Sequence, residues 1–228
     1  MNSKDNATKN KKRRNPFRYF FYDFVKITGA PTAYLWLRPK RIFESKKAKK
    51  HIRGGAVAIA NHTNVRDPIA LYFAFWYRRI HMLAMQEMFT TKWGNWFFRQ
   101  VQCIPVDRSN FKMETFRTAV EVLREGGVIG IFPEGKIGGD KTKLEPFKSG
   151  AVLMALTGRV PIVPVYIVIP KKWYERVVVV IGEQIDPQEI CGGTPNLRTI
   201  DEVSQKLREK ELELMEIYNS WKAKKSSK

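Results

Sequence analysis

Six short apolar runs, at residues 56–60, 80–85, 101–106, 128–132, 162–169 and 176–181, alternate along the chain with stretches of helical periodicity. Runs of this length without polar alternation are the pattern of strands buried on both faces, as in a mostly parallel sheet covered by helices. Between them the residue pattern predicts helices over 68–78, 115–125, 151–157 and 199–221. The second of these places Phe116, Ala119, Val120 and Leu123 on one face and stops at Gly126-Gly127. The last opens with a Thr199-x-x-Glu202 capping box and carries Ile200, Val203, Leu207, Leu214, Ile217 and Trp221 on one stripe. Such alternation implies an α/β sandwich with a mostly parallel sheet. At 228 residues and 43% hydrophobic content, the chain suffices for one domain with a sizeable core.

In that architecture the loops after Ala60, Val106 and Phe132 converge on one rim. The first loop reads Asn61-His62-Thr63-Asn64-Val65-Arg66-Asp67. A histidine can take a proton from an alcohol near neutral pH, and a carboxylate on its far nitrogen would fix the tautomer. That pair needs no serine or cysteine nucleophile when the attacking hydroxyl belongs to the substrate. Asp67-Pro68 is also the pattern of a helix start, with Asp as N-cap and Pro at the first helical position, and the two readings are compatible. The second loop follows Cys103-Ile104-Pro105-Val106-Asp107-Arg108, and the third opens with Phe132-Pro133-Glu134-Gly135.

Taken in order, with Val160-Pro161-Ile162-Val163-Pro164-Val165 as a fourth block, these strings resemble the glycerolipid acyltransferases. The resemblance implies His62 as general base and Asp67 as its orienting carboxylate. It implies that Arg108, Glu134 and Gly135 bind the acceptor, with Arg108 meeting phosphate; Lys136, beside the position of an expected arginine, is a further expected acceptor-binding residue of this chain's own. The reaction implied is acyl transfer from acyl-CoA or acyl-carrier protein to the sn-2 hydroxyl of 1-acylglycerol-3-phosphate, giving phosphatidic acid. No metal or bound cofactor is implied. Two positions depart from the family pattern. Ile137 stands where an arginine is expected, and Met85 stands where a lysine is expected. Both leave the acceptor open to another lysolipid, with Lys136, Lys141, Lys143 and Lys148 as alternative sources of positive charge.

The formal charge of +19 has a location. Residues 4–14 and 38–53 supply twelve of the nineteen excess charges and bracket an aromatic, apolar stretch over 17–37. Basic clusters around such a stretch suit an anionic lipid surface better than a nucleic acid, for which no recognition motif is present. The longest uncharged run there, 27–37, has 11 residues and contains Pro31, against about 20 needed to span a bilayer. Gly29-Ala30-Pro31 divides it into an expected interfacial helical hairpin, with Phe17, Phe20, Phe21, Phe24 and Ile27 on the apolar face. The same interruptions argue against a signal peptide.

The expected organisation is a basic tail at 1–16, the hairpin at 17–39, the catalytic domain at 40–222 and a second basic tail at 223–228. Two cysteines, Cys103 and Cys191, make no disulfide framework and fit a reducing compartment. The expected location is the cytoplasmic face of the cell membrane, as a peripheral protein. His51 and His81 read as a loop and a strand residue rather than ligands. Between the first two blocks lie ten large aromatics, from Tyr72 to Phe98, more than one short helix needs for its core. Some are expected to line an acyl channel or to rest on lipid. Two rival classes are a nucleic-acid-binding module and a catalytically idle lipid-binding scaffold of the same fold.

Overall fold

The computed structural model describes residues 16–107, 112–135, 137–138, 147–172, 174–192 and 194–226. A short 3-10 helix at Pro16–Tyr19 leads into α1 (Phe20–Leu37), then β1 (Lys40–Phe43), β2 (Ala56–Ala60), α2 (Asp67–Ala74) and β3 (Ile80–Met85). A second 3-10 turn, Gln86–Phe89, precedes α3 (Lys92–Gln100), β4 (Ile104–Val106), α4 (Met113–Arg124) and β5 (Val128–Ile131). The chain ends with α5 (Gly150–Gly158), β6 (Ile162–Val168), β7 (Val178–Ile181), α6 (Pro187–Cys191) and α7 (Leu197–Ser226).

The seven strands form one sheet in the order β1-β7-β6-β2-β5-β3-β4. Every neighbouring pair is parallel except β6 with β7. The mostly parallel α/β sandwich expected from the apolar runs is the fold observed. Residues alternate between faces along β2. Ala56, Ala58 and Ala60 pack with Leu37 of α1 and Ala70 and Leu71 of α2. On the other side, Val57 and Ile59 pack with Leu123 of α4, Ala155 of α5 and Val203 and Leu207 of α7. Burial on both faces is why these strands read as unbroken apolar runs.

Several elements differ from the pattern-based expectation. β1 was hidden inside a basic segment because it is an edge strand with Lys40 and Arg41 exposed, and such charges guard an edge against further pairing. β4 begins three residues later than expected, since Val101 and Cys103 close the end of α3 by donating to the carbonyls of Phe97 and Phe98. α2 stops at Ala74, which frees Arg78 to donate to the carbonyls of Ile52, Gly54 and Gly126 at the starts of β2 and β5. The cap of α7 is Asn196 with Thr199, each side chain accepting the other's backbone N–H, rather than Thr199 with Glu202. α7 also continues helical to Ser226, through most of the expected second tail.

The expected hairpin over 17–39 is instead one continuous helix after the short 3-10 turn, with Pro31 inside it. A proline in a helix interior costs about 3 kcal/mol, which packing has to offset. Tyr22 and Leu37 are buried, and Ala30 and Ala33 lie on the core, so docking of this inner face carries the helix past the proline. Tyr22 also ties its start to β3, its hydroxyl accepting from the Ile80 amide. Among the described residues no helix is long and apolar enough to cross a membrane.

Candidate active site

The site lies at the carboxyl ends of β2 and β5, central strands of the sheet. As the chain leaves β2, the Asn61 amide pairs with β6 like an extra strand residue. Its Nδ2 donates to the Ile167 carbonyl at 2.9 Å and its Oδ1 accepts the Ile167 amide at 2.7 Å. That anchors the peptide immediately before His62.

His62 is 8% exposed, and its Nδ1 lies 3.1 Å from Oδ2 of the fully buried Asp67. The same oxygen accepts the backbone N–H groups of Thr63 and Asn64, at 2.7 Å each. Asp67 is the first residue of α2, yet its side chain makes no hydrogen bond to the helix's own amides. It closes backwards over the loop, so the helix start serves the pair. A carboxylate accepting at Nδ1 places that hydrogen there and leaves Nε2 with its lone pair. The imidazole stacks on Phe132 at 4.1 Å between centroids and 17° between planes, which sets the ring's orientation.

Glu134 comes to the same loop from the end of β5. It is 5% exposed, and its Oε1 accepts the His62 backbone N–H at 3.1 Å. The His62 carbonyl in turn accepts the Gly138 amide at 2.7 Å. Gly135 has φ +72, and a Cβ there would meet the Lys148 Cε and Nζ at 3.1 Å. The lysine side chain thus lies along the Glu134-Gly135 turn, and its own amide donates to the Pro133 carbonyl. Thus His62, Asp67, Glu134 and Gly135 are brought together. Arg108 and Lys136, with Lys141 and Lys143, lie outside the described residues. Met85 ends β3 and lines the cavity described next, whereas Ile137 is 45% exposed.

A cavity of about 490 Å³ opens beside His62, walled mainly by apolar groups including Met82, Met88, Phe98, Phe116 and Leu153. Cys103 also lines it, with its thiol pushed up to about 12 by burial, far from a nucleophile's range. Of the aromatics between the first two blocks, Phe73, Phe75 and Phe89 are core and Phe98 faces the cavity. Trp76, Trp93, Trp96 and Phe97 are exposed. No cluster of metal-ligating side chains exists among the described residues, His51 stacking on Tyr77 and His81 sitting buried on β3.

Sequence reasoning left Asn61 and Phe132 without a role. Its signals were present, an amide before the histidine and an aromatic before Pro133, but their partners are distant in sequence.

The family model described as Acyltransferase matches residues 41–168, which hold all of the described site residues. The chain belongs to the acyltransferase family. Relatives include a 1-acyl-sn-glycerol-3-phosphate acyltransferase of Bacillus subtilis, 34% identical over 48% of this chain and 54% of that protein. A 1-acyl-sn-glycerol-3-phosphate acyltransferase of Limnanthes alba is 32% identical over 60% of this chain and 48% of that protein. The chain thus spans about half the length of the curated relatives it matches. In fold this acyltransferase is similar to the 1-acyl-sn-glycerophosphate (LPA) acyltransferase PlsC of Thermotoga maritima, at TM-score 0.62 and 23% identity. That similarity covers 91% of this chain and 83% of the other.

Proposed function

We propose that the protein transfers an acyl chain from a thioester, acyl-CoA or acyl-carrier protein, to the sn-2 hydroxyl of 1-acylglycerol-3-phosphate, giving phosphatidic acid. The observation that carries this reading is the His62–Asp67 pair at the mouth of an apolar cavity. His62 Nε2 accepts the hydroxyl proton while Asp67 holds Nδ1–H and stabilises the imidazolium. The acceptor oxygen bonds to the thioester carbonyl carbon, the tetrahedral intermediate collapses, and the C–S bond breaks. The departing sulfur takes the proton back from His62, so no acyl-enzyme forms. The relatives named as acting on 1-acyl-sn-glycerol-3-phosphate support this acceptor.

An oxyanion forms in the intermediate and needs donors. The amides of His62, Thr63, Asn64, Gly135 and Gly138 are already given to Glu134, Asp67, Asp67, Phe132 and His62. We infer that a side-chain cation serves instead, and Lys148 is the described lysine lining the cavity with His62. Arg108, Lys136, Glu134 and Gly135 are the proposed acceptor-binding residues. Glu134 acts through the His62 loop that it holds.

The protein is proposed to sit on the cytoplasmic face of an anionic membrane. Phe17, Phe20, Phe24, Ile27, Leu35 and Trp36 are exposed along α1 and the turn before it. Phe21 joins this surface to α3 through edge contacts with Trp96 and Phe97. Exposed aromatics at this density suit a lipid interface.

Met85 and Ile137, in place of the basic residues of the family pattern, favour a second acceptor class, a lysolipid without a phosphomonoester. Thiol release from acyl-CoA and acyl-carrier protein across a panel of lysolipids tests both readings. Turnover with lysophosphatidic acid, lost in His62→Ala, supports the first. Preference for a choline or glycerol headgroup replaces the acceptor while keeping the chemistry, and no thiol release with any acceptor defeats the enzyme reading.

A further inference from the structure

A second hollow, of about 710 Å³, opens where α1 meets the end of α2 and the edge strand β1, and it shares no lining residue with the cavity beside His62. The chemistry above does not use it. Its wall carries two cations, Lys26 and Arg41, among aromatic and apolar groups that include Tyr34, Leu35, Tyr72 and Trp76. Among the described residues no acidic side chain lines it.

Lys26 is half-buried, and its charge has no counter-ion. Asp23, one turn earlier on α1, is held in a fork by Arg79, whose Nε donates to Oδ1 at 2.9 Å and whose Nη2 donates to Oδ2 at 2.6 Å. That leaves Lys26 Nζ over the Tyr72 ring, 5.7 Å from its centroid. Burial raises the Tyr72 phenol, so this partner is neutral, and a ring face orients an ammonium without cancelling its charge. Burial also holds the Lys26 ammonium below the usual lysine range. Arg41 is exposed on β1, and neither cation enters an ion pair among the described residues. A place on an edge strand is reason enough for Arg41 alone. Lys26 guards no edge, and its partial desolvation is a cost that an anion in the hollow would offset.

We propose that this hollow binds one anionic phospholipid of the bilayer, its phosphodiester between Lys26 and Arg41 and its acyl chains leaving past Ile27 and Leu35. Ile27 and Leu35 line the hollow and are 73% and 74% exposed, on the surface of α1 assigned above to lipid. A small soluble anion would leave that apolar wall bare, and an uncharged lipid would leave both cations unpaired. An anionic amphiphile satisfies the two together. The proposal rests on the membrane reading and adds a discrete, saturable site to it. A lipid held between α1 and β1 ties the helix and the sheet edge to the bilayer together, which fixes how the protein is oriented there as well as that it is attached.

The test titrates the full chain, by calorimetry, with dihexanoylphosphatidylglycerol kept monomeric below its micelle concentration. Saturable binding is expected. Lys26→Met and Arg41→Gln should each weaken it by about tenfold, the loss of one charge-assisted contact. Lys148→Met, in the catalytic cavity, should leave it intact. Dihexanoylphosphatidylcholine, whose choline meets the same cations, should bind about tenfold more weakly than the glycerol lipid. Absence of saturable binding, undiminished binding in both charge variants, weakening by Lys148→Met alone, or equal affinity for the choline lipid would each overturn the proposal. Coenzyme A binding that Lys26→Met weakens, with the phospholipid unbound, would also overturn it and give the hollow to the donor's phosphates. Should Lys26→Met fail to fold, Arg41→Gln on the exposed edge strand decides. Flotation of the wild type with anionic liposomes is measured beside the titration. Failed flotation would defeat the membrane reading, whereas a failed titration with flotation intact would defeat only the discrete site.

Discussion

Asp67 Oδ2 lies 3.1 Å from His62 Nδ1 and also receives the amide hydrogens of Thr63 and Asn64, so one carboxylate oxygen orders both the base and its loop. The histidine, the loop and the first turn of α2 are therefore coupled. Substitutions at Asp67 act on tautomer and loop together, whereas substitutions at His62 leave the loop its acceptor.

His62→Ala is expected to lose nearly all turnover with an unchanged melting temperature. Asp67→Asn keeps an oxygen acceptor but loses control of the tautomer, and kcat should fall by about two to four orders of magnitude. Asp67→Ala strands two amides as well, each costing about 1–3 kcal/mol if left unpaired. It should lower both kcat and melting temperature. Steady-state kinetics with thermal melts check all three. More than a tenth of wild-type activity in His62→Ala would show that another group is the base.

Lys148 carries a separate expectation, because the amides of His62, Thr63, Asn64, Gly135 and Gly138 are already committed. Lys148→Met should lower kcat by about a hundredfold, the usual loss on removing one oxyanion donor. Gly135→Ala should act in the same direction more weakly, since its Cβ would press on the lysine's Cε and Nζ. A rise in the acceptor KM with kcat intact would reassign Lys148 to phosphate binding.

Much of this arrangement was legible in the sequence, for a physical reason. A strand buried on both faces has no polar alternation, so β2 and β3 were bounded to the residue. His62 and Asp67 are close in the chain and their relation is local. Asn61 with Ile167 and His62 with Glu134 are contacts across the sheet, which spacing alone does not reveal. β1 was missed because an exposed edge strand looks like a charged loop. In α3 the sequence does show Trp93, Trp96 and Phe97 at helical spacing, but not that this stripe faces outward, with no residue of the helix buried.

The outward aromatics give a prediction for membrane binding. Trp93 is 79% exposed and Phe20 68%, on neighbouring helices linked through Phe21 and Trp96. Trp93→Ala and Phe20→Ala should each weaken flotation with anionic liposomes by about tenfold or more, the equivalent of about 1.4 kcal/mol. Binding should weaken further as salt rises and as the anionic lipid fraction falls. Unaltered flotation in the double variant would place the contact elsewhere on the molecule.

The cavity beside His62 makes the acyl chain's length a matter of geometry. Gly130 lies on β5, where a Cβ would come within 2.3 Å of the Met82 sulfur and 3.0 Å of the Ile80 Cγ2. Ile80 is buried, so Met82 has to move, and it already forms part of the cavity wall. Gly130→Ala should therefore push the thioether into the space that an acyl tail would occupy. Each methylene excluded forfeits about 0.8 kcal/mol of burial, roughly fourfold in affinity. The expected result is a fall of tenfold or more in kcat/KM for the longest donor accepted, with donors two carbons shorter little affected. Phe98→Ala removes bulk from another part of the wall and should shift the preference the other way. Measuring kcat/KM across a series of acyl-CoA lengths for both variants checks the pair. If both lost stability while the length profile stayed fixed, the cavity would be a packing defect and the acyl chain would lie elsewhere, against the exposed aromatics or in lipid.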